Sequence, residues 1–310
     1  MPDPYPQLPN FFVLGAMRTG TASLAHYLDQ HPAICFTVPR DPNFYRKDEL
    51  YERGIDYYIH AFCQEMNGQP CRGEASPSYF AHPHVVGPRL QAQYKDYPLK
   101  FVVLLRDPVS RAWSHYLSRV HQGYEPRDFA TALDQEIDNS SEFSVSYLAE
   151  GRYAQLLQEW QTYYPLDNFI LLLSEDLAAA PLAQVQRTFD WLGVDATMPV
   201  NVSMRLNLAG YSRGHRIASF LNNPPAWLRM IGQRIWPDPW SRHRIRRSLR
   251  NRFHRPYRTL PPLDPNITTQ LRSYYREDVL LLSKMLGRYL SHWLSDDNPL
   301  DMLTAPAPPE

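Results

Sequence analysis

"FFVLGAMRTGTASLAHYLDQH", residues 11–31, changes character twice. Phe11 to Leu14 are apolar and read as a short buried strand. A turn containing Gly15 and Gly20 follows. Leu24, Tyr27 and Leu28 then recur at helical spacing until Pro32 closes the segment. A strand that ends in a glycine-containing turn and opens a helix is a natural anion site. Backbone N–H groups at the helix start point outward, and the helix dipole adds positive potential. Gly20 lets the backbone come close to an anion. Arg18 adds a charged fork, and Thr19, Thr21 and Ser23 add hydroxyls. The alternative is a plain tight turn between strand and helix, a common use of two glycines.

Working outward, "FVVLL" at 101–105 is β-branched and apolar throughout, as buried parallel strands tend to be. It runs into "RDP" and a helix from about Val109 to His121, with Trp113, Tyr116, Leu117 and Val120 as its apolar stripe. "AICFT", 33–37, and "NFILLL", 168–173, are further strand candidates. Tyr153, Leu156, Leu157 and Trp160 mark an amphipathic helix. "PLAQVQRTFDWLG", 181–193, has Pro at a helix start and Gly after its end, and 267–287 forms a long C-terminal helix. Strands alternating with helices predict an α/β protein: a P-loop-like, three-layer α/β/α arrangement around a central parallel sheet of about four or five strands. One domain over 1–295 is expected, with a less regular Arg- and Pro-rich insertion at about 201–265 and a disordered tail at 296–310.

With 310 residues and 44% hydrophobic content, the chain has enough apolar material for a sizeable core. Its formal net charge is zero, which gives no general field for nucleic acid. The average hides an asymmetry: between Arg205 and Arg258 stand 13 Lys or Arg and a single acid, Asp238. Three cysteines, Cys35, Cys63 and Cys71, lack metal-site spacing and read as reduced thiols. No apolar run approaches the roughly 18–20 residues of a membrane span. The Pro-rich start lacks a signal-peptide pattern, so the expectation is a cytoplasmic protein.

The first loop has the glycine spacing of the nucleoside-triphosphate loop G-x-x-x-x-G-K-[ST], but Thr21 and Ala22 stand where Lys and Ser/Thr belong. The triphosphate-grasping lysine and the magnesium hydroxyl are both missing. A second motif, "LLRDPVSRAWSHY" at 104–116, puts Arg106 directly after a strand and Ser114 on the following helix. The C-terminal edge of an open parallel sheet is where ligands bind.

Taken together, the two segments resemble the sulfotransferases that use 3′-phosphoadenosine 5′-phosphosulfate (PAPS). Their loop G-x-x-[KR]-[ST]-G-T-[ST]-x-L reads here "GAMRTGTASL", and their "LLRDP-x-x-RA-x-S-x-Y" reads "LLRDPVSRAWSHY". Three more segments agree: "HPAICFTVPRDPNFY" with the family's "HP…KEPHFF", "GEASPSYF" with "GE-x-[ST]-P-x-YF", and the block beginning "GRYAQLLQEW" with "G-x-Y…L-x-x-W". The match runs with gaps from about residue 10 to 195. It is closer to the heparan-sulfate type and its bacterial relatives than to the cytosolic phenol and steroid enzymes. The donor has no triphosphate, so the absent lysine is expected.

The resemblance implies that Arg18, Thr19, Gly20, Thr21, Ala22 and Ser23 bind the 5′-phosphosulfate, and that Arg106 and Ser114 bind the 3′-phosphate. Arg213 and Gly214, in "YSRGHR", fall where the family closes a basic loop over the donor. Arg18 stands where much of the family has Lys. It serves as the cation at the leaving oxygen, electrostatically rather than as an acid. Asp41 stands where the heparan-type pattern has Glu and is the first choice of general base. Glu74 is its rival, His82 and His84 are weaker options, and a turn with a solvated Arg40–Asp41 pair is the plain reading. Adenosine 3′,5′-bisphosphate is the implied product, and no metal is required. The acceptor is left open among a carbohydrate, a natural product and a carrier-bound acyl chain. Phe44, Tyr45, Tyr57, Tyr58, Tyr79 and Phe80 either line its pocket or belong to the core. The cationic run 241–255 is either a solvated face or a contact for an acidic partner or membrane surface. The competing functions are a non-catalytic nucleotide- or partner-binding protein of the same fold, and a P-loop small-molecule kinase.

Overall fold

A computed structural model describes residues 4–66, 68–138, 146–204, 206, 210–212, 254–256 and 261–295. In chain order its elements are β1 (Phe11–Gly15), α1 (Thr21–Leu28), β2 (Ile34–Phe36), α2 (Asp48–Tyr51), α3 (Ile55–Phe62), β3 (Cys71–Ala75), α4 (Pro83–Tyr94), β4 (Lys100–Leu105), α5 (Pro108–Gln122) and α6 (Phe129–Asp138). There follow α7 (Tyr153–Gln161), β5 (Phe169–Leu173), α8 (Ser174–Ala179), α9 (Pro181–Leu192), β6 (Gly210–Ser212), β7 (His254–Pro256) and α10 (Pro265–Leu286).

The chain divides into two compact units. One comprises Met1–Arg111, Leu148–Asn207 and Thr268–Leu303 and contains a five-stranded sheet in the order β2-β3-β1-β4-β5. Every pairing in that sheet is parallel. The expected α/β class and strand number are therefore found. The connection from β1 leads to strands on one side, and β4 leads to β5 on the other. The order thus reverses between β1 and β4, and open parallel sheets bind ligands beyond the strand ends at such a point.

Side chains alternate between the two faces of the sheet, as the strand period requires. Phe11 and Val13 join Val102, Leu104, Ile170 and Leu172 in a core shared with Leu24, Leu28, Val185 and Phe189 of α1 and α9. Phe12 points the other way, with its ring near Tyr45, Tyr94 and Phe101. Phe101 in turn packs on Trp160 of α7 and on Phe169. At about 25 cal/mol per Å² of apolar surface, these aromatic layers supply much of the burial that holds the sheet.

The strands expected from sequence are β1, β2, β4 and β5. The fifth, β3, reads CRGEA and was not expected, yet all five of its residues are buried. Helices α2, α3, α4, α6 and α8 are likewise absent from the sequence reading.

The second unit comprises Ala112–Tyr147, Leu208–Ile267 and Thr304–Glu310. It contains the antiparallel pair β6–β7. There Trp113 stacks on Tyr116 with centroids 5.4 Å apart, and Phe129 packs on both. Glu125 accepts two bonds from the Arg127 guanidinium at 2.7 and 2.8 Å and one from the Tyr147 hydroxyl at 2.8 Å.

Candidate functional site

The loop after β1 leaves the sheet at this reversal point. Gly20 adopts φ 101 and ψ 10, a left-handed turn that suits glycine, and begins α1. The N–H groups of Ser23 and Leu24 return to the Gly20 carbonyl at 3.0 and 3.1 Å. Among the described residues, no acceptor is paired with the backbone N–H of Thr19, Gly20, Thr21 or Ala22. These donors lie together at a helix start, the arrangement that binds anions. Ala22 contributes only its N–H, where the resembling pattern has a hydroxyl.

The loop's carbonyls are tied back. The Thr19 hydroxyl donates to the Ala16 carbonyl at 2.8 Å, and the Arg106 guanidinium to the Arg18 carbonyl at 3.2 Å. Ser174, at the end of β5, donates to the Thr19 carbonyl at 2.6 Å. The Ser23 hydroxyl accepts the Leu206 N–H at 2.8 Å, so this predicted donor contact also serves the protein.

Two arginines bring positive charge to the loop. Arg18 has φ 69, uncommon for a residue with a side chain, and keeps part of its surface open although protein atoms crowd around it. That crowding, and then the nearby Arg106 charge, bring its pKa down to about 10. Arg106 follows β4 directly and is buried. The next residue, Asp107, caps α5: its carboxylate accepts the Val109 N–H and the Ser110 hydroxyl, both at 2.9 Å. Ser114 is buried on the same helix, in the second unit. Arg111 is fully buried and donates to Glu150 at 3.3 Å, a structural pair.

The two candidate bases belong to one hydrogen-bonded cluster. Glu74, at the end of β3, is 0% exposed. It accepts the Tyr58 hydroxyl at 2.5 Å and the Ser76 hydroxyl at 2.6 Å. Burial pushes its pKa up to about 7. Bonds from Ser76, Tyr58 and Tyr79 oppose the rise, and the Asp41 charge adds to it. Burial and the Glu74 charge hold the Tyr58 and Tyr79 phenols well above their ordinary value. Ser76 also accepts the Asn43 N–H at 3.1 Å, and the Asn43 amide donates to Asp41 at 2.6 Å. The Ser78 hydroxyl bonds the Asn43 amide oxygen, which fixes how that amide is turned. Asp41 is half-buried. Arg40 pairs with Asp29 of the chain after α1, and its carbonyl accepts the Ala75 N–H at 3.1 Å. Arg40 is therefore paired with Asp29 rather than with its neighbour Asp41, whose carboxylate is held by the Asn43 amide.

This cluster and the donor loop share a wall. The Phe80 N–H donates to the Leu14 carbonyl at 2.8 Å, and the Trp160 indole N–H to the Phe80 carbonyl at 2.9 Å. A Cβ on Gly15 would overlap Phe80 and lie 2.9 Å from the Pro77 carbonyl oxygen. Only glycine admits this approach.

Of the six aromatics that the sequence left between pocket and core, Phe44, Tyr45, Tyr58, Tyr79 and Phe80 are core. Tyr57 is half-buried under the Arg53 guanidinium, which sits 4.7 Å from its ring centre. His82 is half-buried against the Ser78 carbonyl at 2.9 Å and its pKa is lowered, chiefly by burial; His84 is exposed. No group of His, Cys, Asp and Glu fit to hold a metal occurs among the described residues. Among the same residues, no helix is long and apolar enough to cross a membrane. Arg213 and Gly214 lie outside the described residues, as does the run 241–255 apart from the β7 backbone.

Sequence reading missed Asn43, Ser76, Ser78 and Ser174. All four lie inside segments quoted for the family resemblance; Asn43, Ser76 and Ser78 stand beside Pro42 or Pro77, which was the available signal. Ser174 carried none.

A parallel sheet whose reversal point carries two arginines and, among the described residues, unpaired loop N–H groups has the arrangement that P-loop-like α/β proteins use for anions. The sulfotransferase domain family matches residues 8–258, and the chain belongs to that family. Heparan sulfate glucosamine 3-O-sulfotransferase 3B1 of Mus musculus is 30% identical over 193 residues, which cover 61% of this chain and 47% of that protein. The human bifunctional heparan sulfate N-deacetylase/N-sulfotransferase 2 is 27% identical over 213 residues, 65% of this chain and 24% of that one. The matched region thus spans about half or less of these relatives. A crystal structure of a sulfotransferase from Alicyclobacillus acidocaldarius superposes with a TM-score of 0.67 at 22% identity, covering 93% of this chain and 99% of that one. It shares the fold.

Proposed function

We propose that this protein transfers the sulfuryl group of 3′-phosphoadenosine 5′-phosphosulfate to a hydroxyl, or an amine, of an acceptor by in-line displacement. The observation that carries the reading is the row of unpaired N–H groups at Thr19 to Ala22, set beside Arg18 on a loop that lacks the triphosphate lysine. The loop cradles the 5′-phosphosulfate. Arg18 stabilises charge on the leaving phosphate oxygen, and Arg106 and Ser114 bind the 3′-phosphate. A pKa of about 10 leaves Arg18 charged at neutral pH, so its contribution is electrostatic.

Asp41 accepts the acceptor's proton. It is half-buried, whereas Glu74 is closed off in the core, so Glu74 supports the cluster behind it. A glycan hydroxyl is the first acceptor to try, given relatives whose names specify heparan sulfate. A natural product and a carrier-bound acyl chain follow. A cytoplasmic setting is part of the proposal, supported by the three free, buried cysteines.

Calorimetry tests the donor assignment. Adenosine 3′,5′-bisphosphate is expected to bind well without magnesium, and ATP weakly. Tighter binding of ATP, or magnesium-dependent ATP turnover, overturns it. Transfer from labelled donor to a panel of oligosaccharides, phenols and hydroxyacyl thioesters then identifies the acceptor. Tight bisphosphate binding with no turnover on any of them favours a binding protein.

A further inference from the structure

Within the loop, the carbonyls of Ala16, Arg18 and Thr19 each accept a hydrogen bond from Thr19, Arg106 and Ser174 respectively. A trans peptide sets its C=O and the following N–H on opposite sides. Tying these carbonyls back therefore turns the N–H groups of Met17, Thr19 and Gly20 away from the tethers. The last tether matters most. The 19–20 peptide is followed by Gly20, which accepts positive and negative φ about equally, so nothing in Gly20 itself prevents that peptide from flipping. A flip would replace a donor in the anion site with a carbonyl oxygen.

Ser174 is the group that opposes the flip. It is 2% exposed, follows β5 directly, and reaches the loop from two strands away. Its bond, at 2.6 Å, is the shortest of the three. The hydroxyl has one proton, and that proton is committed to Thr19.

We propose that Ser174 is a positioning residue for the donor's 5′-phosphate group: its bond to the Thr19 carbonyl holds the Gly20 N–H in the anion site. The proposal rests on the donor assignment above. Ser174 has no role in holding the adenosine or its 3′-phosphate, so its effect is confined to ligands that carry a 5′-phosphate.

The test is calorimetric titration of the full chain with adenosine 3′,5′-bisphosphate and with adenosine 3′-monophosphate, which lacks the 5′-phosphate. Ser174→Ala is expected to weaken the bisphosphate about tenfold, the scale of one well-placed hydrogen bond. The 3′-monophosphate should change by less than about twofold. Ser174→Thr keeps the hydroxyl and should restore most of the lost affinity. If the alanine variant melts early, the nearly isosteric Ser174→Cys, a weak donor, takes its place and should show the same selective loss. Equal losses for both ligands, no loss for either, or a threonine variant of unchanged Tm as weak as alanine each overturn the proposal. If the unaltered protein fails to bind the bisphosphate, the donor assignment fails with it. If it binds and the alanine variant matches it, Ser174 alone loses its role.

Discussion

The loop after β1 and the cluster around Glu74 sit on neighbouring strands, yet they treat their polar groups in opposite ways. The loop ties its carbonyls back and, among the described residues, leaves the N–H groups of Thr19 to Ala22 without partners. The cluster pairs its groups with one another: Glu74 with Tyr58 and Ser76, Ser76 with Asn43, Asn43 with Asp41 and Ser78. Unpaired donors at a surface define a ligand by its charge and shape. A closed network defines only its own geometry. On the reading proposed above, the open donors face the sulfuryl donor, and the paired network fixes only the orientation of Asp41.

The contrast can be broken where each side is most committed. Arg18→Ala removes the charge beside the open donors and should lower turnover by about a hundred- to a thousandfold, the scale of losing one oxyanion donor. Arg18→Lys should keep more activity, since lysine retains the charge and can donate a proton. Single-turnover transfer from labelled donor measures both, and equal rates for all three proteins would remove Arg18 from the chemistry.

On the closed side, Glu74 holds its proton more tightly when folded than when unfolded, because its pKa rises to about 7 from 4.5. Its contribution to stability is full below about pH 4.5 and is lost as pH rises towards 7. At 1.36 kcal/mol per pKa unit, the change is roughly 3 kcal/mol. Glu74→Gln should flatten that slope in urea unfolding. Were Glu74 instead the base that touches acceptor, Gln would abolish transfer and leave the donor affinity intact.

The shared wall comes next. Gly15→Ala should destabilise the protein by about 1–3 kcal/mol through overpacking against Phe80 and the Pro77 carbonyl. Thermal melting measures it, and an unchanged Tm would show that the wall yields. The smallest effect belongs to the half-exposed pair of Arg40 and Asp29. Asp29→Asn should cost less than about 1 kcal/mol and fade with added salt.

Sequence reading was strong where local chemistry speaks alone. β4 and β5 are close to unbroken apolar runs; they pair in parallel over five residues, with β4 inside the sheet and β5 at its edge. β3 escaped because Arg72 and Glu74 interrupt it. Tertiary partners make their burial tolerable: Arg72 donates to the Leu8 and Gln69 carbonyls at 2.8 and 2.7 Å, and Glu74 has its hydroxyls. No local pattern announces such partners. The same holds for the site. Gly15, Arg18 and Gly20 of the loop after β1 stand in one segment. The Asn43–Ser76 bond joins residues 33 apart, and the Ser174–Thr19 bond residues 155 apart. Only the folded sheet brings those pairs together.

Gly15 carries a last consequence. Its lack of a side chain lets the 76–80 segment rest on the end of β1, with the Phe80 N–H bonded to Leu14 and Trp160 holding the Phe80 carbonyl. Close-packed interiors transmit displacement rather than absorb it. A shift of the 76–80 segment is therefore passed to the loop after β1. If the protein transfers sulfuryl as proposed above, a change in what it accepts, in nature or by engineering, also changes how firmly it holds what it gives away.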